Sequence, residues 1–203
     1  MKKDNTVVKE NLFLNLPNVI SSLRIAIAPV LVWLAVETNS EAFLWVLAFT
    51  LFTDAIDGYL ARMLDQVTAL GTQLDSWADM VTYAAMLIGL VLIWPEIYAS
   101  EAMFIMIAFS FWLFSSLVCL ARFRCFPNYH TYAAKLMAVA SVPAYFLAVL
   151  TNEPLYLRVI FIGYLWVAIE QVFITSVLLQ WRGNISGIWQ AVSMSRDNSE
   201  VDR

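Results

Sequence analysis

Six apolar runs, each long enough to cross a bilayer and parted only by short polar breaks, limit what this chain can fold into more than any other feature. They lie near 17–37, 41–62, 70–95, 101–122, 132–151 and 155–181. A helix needs roughly 20 mostly apolar residues to cross the hydrocarbon core. Inside lipid, only helices and closed barrels satisfy their own backbone polar groups. The pattern therefore predicts an all-α integral membrane protein, a six-transmembrane-helix bundle. With 61% hydrophobic and 14% charged residues, the 203-residue chain has too few polar side chains to coat a water-soluble domain. None of the breaks is long enough to fold by itself, so a single domain is expected over 17–182.

Cationic residues give the orientation. Lys2, Lys3, Lys9, Arg62, Arg122, Arg124, Arg182, Arg196 and Arg203 fall at the N-terminus, in the even-numbered breaks or in the tail. The odd-numbered breaks hold Glu37, Glu41, Glu96, Glu101 and Glu153, with Arg158 as the lone basic exception. Cytoplasmic loops carry the excess of Lys and Arg, so both termini are expected in the cytoplasm. Trp33, Trp45, Trp94 and Trp181 sit toward run ends, where interface anchors belong. Residues 1–16 read as a cytoplasmic segment, either amphipathic along the membrane surface or a flexible lead-in, with no cleavable signal peptide. Residues 183–203 read as a polar cytoplasmic tail, mobile or loosely surface-bound, with hydrophobic periodicity only around Ile185 to Val192. Cys119 and Cys125 match no zinc spacing and are read as packing residues. No nucleic-acid partner is expected.

The second and third runs carry acids. The sequence reads Asp54-Ala55-Ile56-Asp57-Gly58-Tyr59-Leu60-Ala61-Arg62 and then, from Gly71, Gly-Thr-Gln-Leu-Asp75-Ser-Trp-Ala-Asp79. Residues three or four apart project to one side of a helix, so Asp54 pairs with Asp57 and Asp75 with Asp79. A charged residue at mid-membrane depth costs about 2.5–3.5 kcal/mol on insertion scales, and like charges facing one another add repulsion. Something positive must sit among them. Oxygen ligands without His or Cys select Mg²⁺, Mn²⁺ or Ca²⁺ rather than zinc or copper. Four carboxylates on two helices suffice for two ions, the arrangement that clamps attacking and leaving oxygens in phosphoryl transfer. Gly58, Ala61 and Gly71 remove bulk beside the acids, either for a phosphate-bearing ligand or for close helix packing. Arg62 suits a diphosphate at the cytoplasmic mouth; alone, it would be a snorkelling arginine.

These residues resemble the signature of the CDP-alcohol phosphotransferase (CDP-alcohol phosphatidyltransferase) family: D-x-x-D-G-x-x-A-R, about eight residues, then G-x-x-x-D-x-x-x-D. Asp54, Asp57, Gly58, Ala61, Arg62, Gly71, Asp75 and Asp79 fill every fixed position. Asn15-Leu16-Pro17-Asn18 followed by Ser21 and Arg24 is similar to the opening of the family's first helix. The resemblance implies transfer of a phosphatidyl-type group from a CDP-linked donor to a hydroxyl, with release of CMP. It implies Asp54, Asp57 and Asp75 as ligands of two Mg²⁺ or Mn²⁺ ions, and Asp79 as the base, also within reach of the second metal. It further implies that Asp57, Gly58, Ala61, Arg62 and Gly71, together with Asn18 and Ser21, border the cytidine diphosphate, and that the protein is a homodimer.

A site at the cytoplasmic ends of lipid-embedded helices suits CDP-diacylglycerol, whose tails stay in the bilayer. The opposite arrangement, soluble CDP-choline or CDP-ethanolamine with diacylglycerol as acceptor, uses the same signature. The acceptor is left open between glycerol 3-phosphate, serine and an inositol compound. Arg122, Arg124 and Lys135 are its candidate contacts, Lys135 because a cation buried inside the fifth run would need a partner; His130 is read as a loop residue or helix cap. Residues 74–81 look closer to the serine-accepting branch, in which no proline follows the third aspartate. A divalent-metal transporter also arrays acids on facing helices, yet would not need Gly58, Ala61 and Arg62 in fixed step. Membrane prenyltransferases keep their two aspartate motifs far apart, whereas here both pairs are adjacent.

Overall fold

The lengths and spacing of the apolar runs reappear as helices in a computed structural model of the chain, which describes residues 16–63, 69–125, 129, 131–178 and 185–193, the side chains of 16–17, 57–63, 69–70 and 72 excepted. Among the described residues six long helices occur in order: α1 (Leu16–Val36), α2 (Ser40–Met63), α3 (Ala69–Ile93), α4 (Pro95–Phe123), α5 (Tyr132–Thr151) and α6 (Leu155–Val177). A short helix, α7, follows at 188–193. Five of them, α1, α3, α4, α5 and α6, are long and apolar enough over their described residues to cross a membrane. The chain divides into two units, Met1–Pro95 and Glu96–Arg203.

In the first unit α1 packs against both α2 and α3. The α1–α2 corner is tight. Thr38 takes a left-handed conformation with φ 52°, and the Asn39 N–H returns to the Leu34 carbonyl at 3.1 Å, satisfying an end carbonyl of α1. The Asn39 side chain then accepts from the Ala42 N–H at 3.1 Å and opens α2. Leu31, Ala35, Phe43 and Leu47 are fully buried behind this corner. The Phe43 ring meets Trp94 edge-on at 6.0 Å. Phe43 also lies so close to Gly89 that an added Cβ would stand 2.9 Å from the ring's Cε1. A larger residue there would force the Phe43 ring to shift, so glycine allows the close approach of α2 and α3.

In the second unit α5 packs on α6. Thr131 caps α5 by accepting from the Ala134 N–H at 3.2 Å, and Asn152 closes it in the left-handed region at φ 57°. Side-chain bonds join α4 to α6. The Ser115 hydroxyl donates to Gln171 at 3.1 Å, and Glu101 takes a two-pronged contact from Arg158, whose Nη2 lies 2.6 Å from Oε1. Glu101 is completely buried, and the guanidinium of Arg158 also stands 5.0 Å from the Phe104 ring centroid. The basic residue that breaks the charge pattern is therefore neutralised within its own unit.

Four sequence expectations are corrected here. α4 begins at Pro95 rather than near 101, because proline at the first helical position gives up only an N–H that would be orphaned anyway, and Glu96 complements the helix N-terminus. α6 stops at Val177 instead of continuing to 181: Leu178 is extended, and its carbonyl accepts from Arg122 at 3.0 Å. The tail is not loose over 185–193. Ile185 and Ala191 are buried with Cys119, Tyr129, Ile174 and Leu178, and the Ser186 carbonyl accepts from the Tyr132 N–H at 3.1 Å. Cys119 packs as expected, but Cys125 is exposed. Residues 1–15, 183–184 and 194–203, with Trp181 and Arg182, lie outside the described residues.

Candidate metal centre

The carboxylates come together because α1 lies against both acid-bearing helices. Asp54 stands on α2, and Asp75 and Asp79 stand one turn apart on α3. One carboxylate oxygen from each of the three lies within 4.8 Å of the other two. Two oxygens on one Mg²⁺ are at most about 4.2 Å apart, twice a bond of roughly 2.1 Å. A group lying within 4.8 Å is compact enough to close around one such ion or to share coordination of a pair roughly 3.5–4 Å apart. The donor set, all carboxylate oxygen, is that of a hard divalent cation. These residues therefore fit the Mg²⁺ or Mn²⁺ that the signature implies.

Access favours a ligand from one side. The side chains of Asp54, Asp75 and Asp79 are 38%, 50% and 45% exposed, whereas Arg24 beneath them is 1% exposed. Its Nη1 pairs with Asp54 and, at 3.2 Å, with Asp75; its Nη2 pairs with Asp79 at 2.7 Å. Sequence reasoning gave Arg24 no role beyond the helix-opening pattern. A signal was present: Arg24 is the only charged residue of α1, so its counter-charge had to come from another helix.

The remaining expected residues divide. Gly58, Ala61 and Arg62 fall on α2 with Asp57, and Gly71 on α3 one turn before Asp75. The side chains of 57–63 lie outside the described residues, so Asp57 and Arg62 are located by their backbone alone. Asn18 and Ser21 are buried on α1, about two turns and one turn before Arg24 respectively. In the second unit, Arg122 bonds the end of α6 and lies 5.5 Å from the Phe123 ring, and Arg124 is exposed in the left-handed region at φ 59°. Lys135 is exposed, its Nζ 5.9 Å from the Tyr132 ring centroid, so burial gives it no need of an anionic partner. His130 lies outside the described residues.

Comparison with known proteins matches the sequence profile of the family described as CDP-alcohol phosphatidyltransferase to residues 14–184. A Pseudomonas fluorescens CDP-diacylglycerol--glycerol-3-phosphate 3-phosphatidyltransferase is 40% identical over 81 residues, 38% of this chain and 42% of that protein. A Rattus norvegicus cardiolipin synthase (CMP-forming) is 41% identical over 76 residues, 37% of this chain and 25% of its own length. A Drosophila melanogaster CDP-diacylglycerol--inositol 3-phosphatidyltransferase is 31% identical over 87 residues, 43% of this chain and 38% of that protein. The matched stretches thus span less than half of each of these relatives. No solved structure matches the chain.

Proposed function

The chain belongs to the CDP-alcohol phosphatidyltransferase family, and from that membership we propose that it transfers a phosphatidyl group from CDP-diacylglycerol to the hydroxyl of a small polar alcohol, releasing CMP. The observation that carries this reading is the convergence of Asp54, Asp75 and Asp79 at signature spacing on two helices, with oxygens close enough to share divalent cations. The relatives named above for a CDP-diacylglycerol donor support it over a soluble CDP-choline or CDP-ethanolamine. A family of phosphatidyl transferases also displaces the metal-transporter and prenyltransferase alternatives.

The division of labour follows from the residues. Bound Mg²⁺ or Mn²⁺, most simply two ions, would neutralise the diphosphate and the charge growing on the departing CMP. Asp54, Asp57 and Asp75 would hold the metal. Asp79, one turn from Asp75, takes the proton of the attacking hydroxyl. Gly58, Ala61 and Gly71 leave room for the nucleotide, Arg62 supplies a charged hydrogen-bond donor for its diphosphate, and Asn18 and Ser21 border it from α1. Glycerol 3-phosphate is the acceptor to test first, since it is named in the relative from Pseudomonas fluorescens. Arg124 and Lys135, exposed cations, are its proposed contacts, while Arg122 holds the end of α6.

The protein is read as multi-pass, with α2 as a sixth span beside the five apolar helices and both termini in the cytoplasm. The pairing of Arg158 with Glu101 supports that orientation by removing the one discordant charge. A homodimer is part of the same reading. The test is incubation of purified protein with labelled CDP-diacylglycerol and, separately, glycerol 3-phosphate, inositol, inositol phosphate, serine and choline. One acceptor should yield a new labelled lipid together with CMP. Absence of CMP release with every acceptor would overturn the assignment.

A further inference from the structure

The geometry points to Arg24 as a resident counter-cation of the metal site, which stabilises the carboxylate cluster when metal is absent and lowers its affinity for divalent ions. This inference rests on the metal-dependent reading above. Arg24 comes from a helix that has no acid of its own, is 1% exposed, and reaches acids on two other helices. Three formal negative charges at the described site face this one positive charge. Its Nε, in contrast, is buried and has no partner among the described residues, so the described carboxylates hold only the two terminal nitrogens.

The chemistry of guanidinium makes the role specific. It does not lose its proton in a protein, so it cannot step aside by becoming neutral as a lysine can. An incoming divalent ion must therefore share the same carboxylate oxygens with a fixed positive charge. The half-exposed acids leave an approach for metal even though Arg24 itself is buried. The metal-free cluster is thereby protected from its own repulsion, and the protein need not load metal to fold. Loading becomes weaker than a bare group of three carboxylates would give, because each added positive charge is set against one already in place.

The test needs neither donor nor acceptor. Wild type, Arg24→Gln and the double variant Arg24→Gln with Asp75→Asn are purified in detergent micelles, and unfolding is followed by tryptophan fluorescence in EDTA and across a Mn²⁺ titration. Arg24→Gln should unfold several degrees below wild type in EDTA. Its Mn²⁺ midpoint should fall by roughly tenfold or more, the scale on which the supporting partners of a metal site act. The double variant, which removes one charge of each sign, should regain most of the stability in EDTA. Recovery of Arg24→Gln only when Mn²⁺ is present throughout purification would be the same result in stronger form. Unchanged or weaker Mn²⁺ binding by Arg24→Gln would overturn the inference, as would a double variant no more stable than the single one, or failure to recover either variant with Mn²⁺ present. Failure of the metal reading is distinguishable, because wild type itself would then show no Mn²⁺ response. Failure of the inference alone leaves phosphatidyl transfer standing.

Discussion

Replacing Asp75 by Asn separates a folding role from a metal-binding one, because it removes a charge while leaving shape almost unchanged. Its oxygen lies within 4.8 Å of those of Asp54 and Asp79. Taken at that distance and an effective dielectric of about 20, each such like pair repels by about 3.5 kcal/mol, so the substitution relieves about 7 kcal/mol of repulsion. It also forfeits the contact with Arg24 at 3.2 Å, worth about 5 kcal/mol on the same scale. Asp75 is half exposed, and water scales both figures down together. The balance for the metal-free protein thus lies between zero and about 2 kcal/mol in favour of the variant. For a chain of this size that corresponds to a melting temperature unchanged or raised by up to roughly 6 °C. With metal the sign reverses: a ligand is gone, the Mn²⁺-induced rise in melting temperature should vanish, and transfer should drop by at least about 100-fold, the scale of a lost transition-state stabiliser. Thermal unfolding in EDTA and in Mn²⁺, beside CMP release, reads all three quantities. A melting temperature several degrees lower in EDTA, or a full Mn²⁺ response, would refute the reasoning.

Other outcomes follow from single contacts. Asp79→Asn should still bind donor but turn over at least about 100-fold more slowly; wild-type rates would remove it from the base role. Lys135→Ala should raise the acceptor's KM more than the donor's, and an unchanged acceptor KM would reject its contact with substrate. Arg158→Gln strands the buried Glu101 carboxylate and should lower the melting temperature by several degrees; a melting temperature matching wild type would show the pair to be dispensable. Gly89→Ala drives a methyl group into the Phe43 ring and should cost about 1–3 kcal/mol before roughly 1 kcal/mol of helix propensity is regained. A stabilised Gly89→Ala protein would show that α2 and α3 have slack there.

The elements were legible wherever hydrophobic length alone decides. Residues 132–151 were expected as a helix and α5 occupies Tyr132–Thr151, bounded by a Thr cap and a left-handed Asn. The misread ends are those where local chemistry overrides hydropathy. Pro95 looks like a breaker but starts α4, and Leu178 looks like more span but ends α6 because Arg122, 56 residues earlier, takes its carbonyl. The acids were legible because their three- and four-residue spacing is a property of the helix carrying them. Arg24 was not, since its partners lie 30 to 55 residues away on other helices. Glu170 was also missed: it is buried on α6, with Oε2 unpartnered among the described residues, and a Cβ added at Gly187, in the segment after α6, would stand 3.7 Å from its Oε1.

The most direct test of the account is CMP release from CDP-diacylglycerol by the purified wild-type protein, measured with glycerol 3-phosphate in EDTA and again after Mg²⁺ or Mn²⁺ is added. Release that is absent in EDTA, restored by either metal, and lost again in Asp54→Asn, Asp75→Asn and Asp79→Asn is the predicted result. Release at equal rates with and without chelator, or in all three variants, would contradict it.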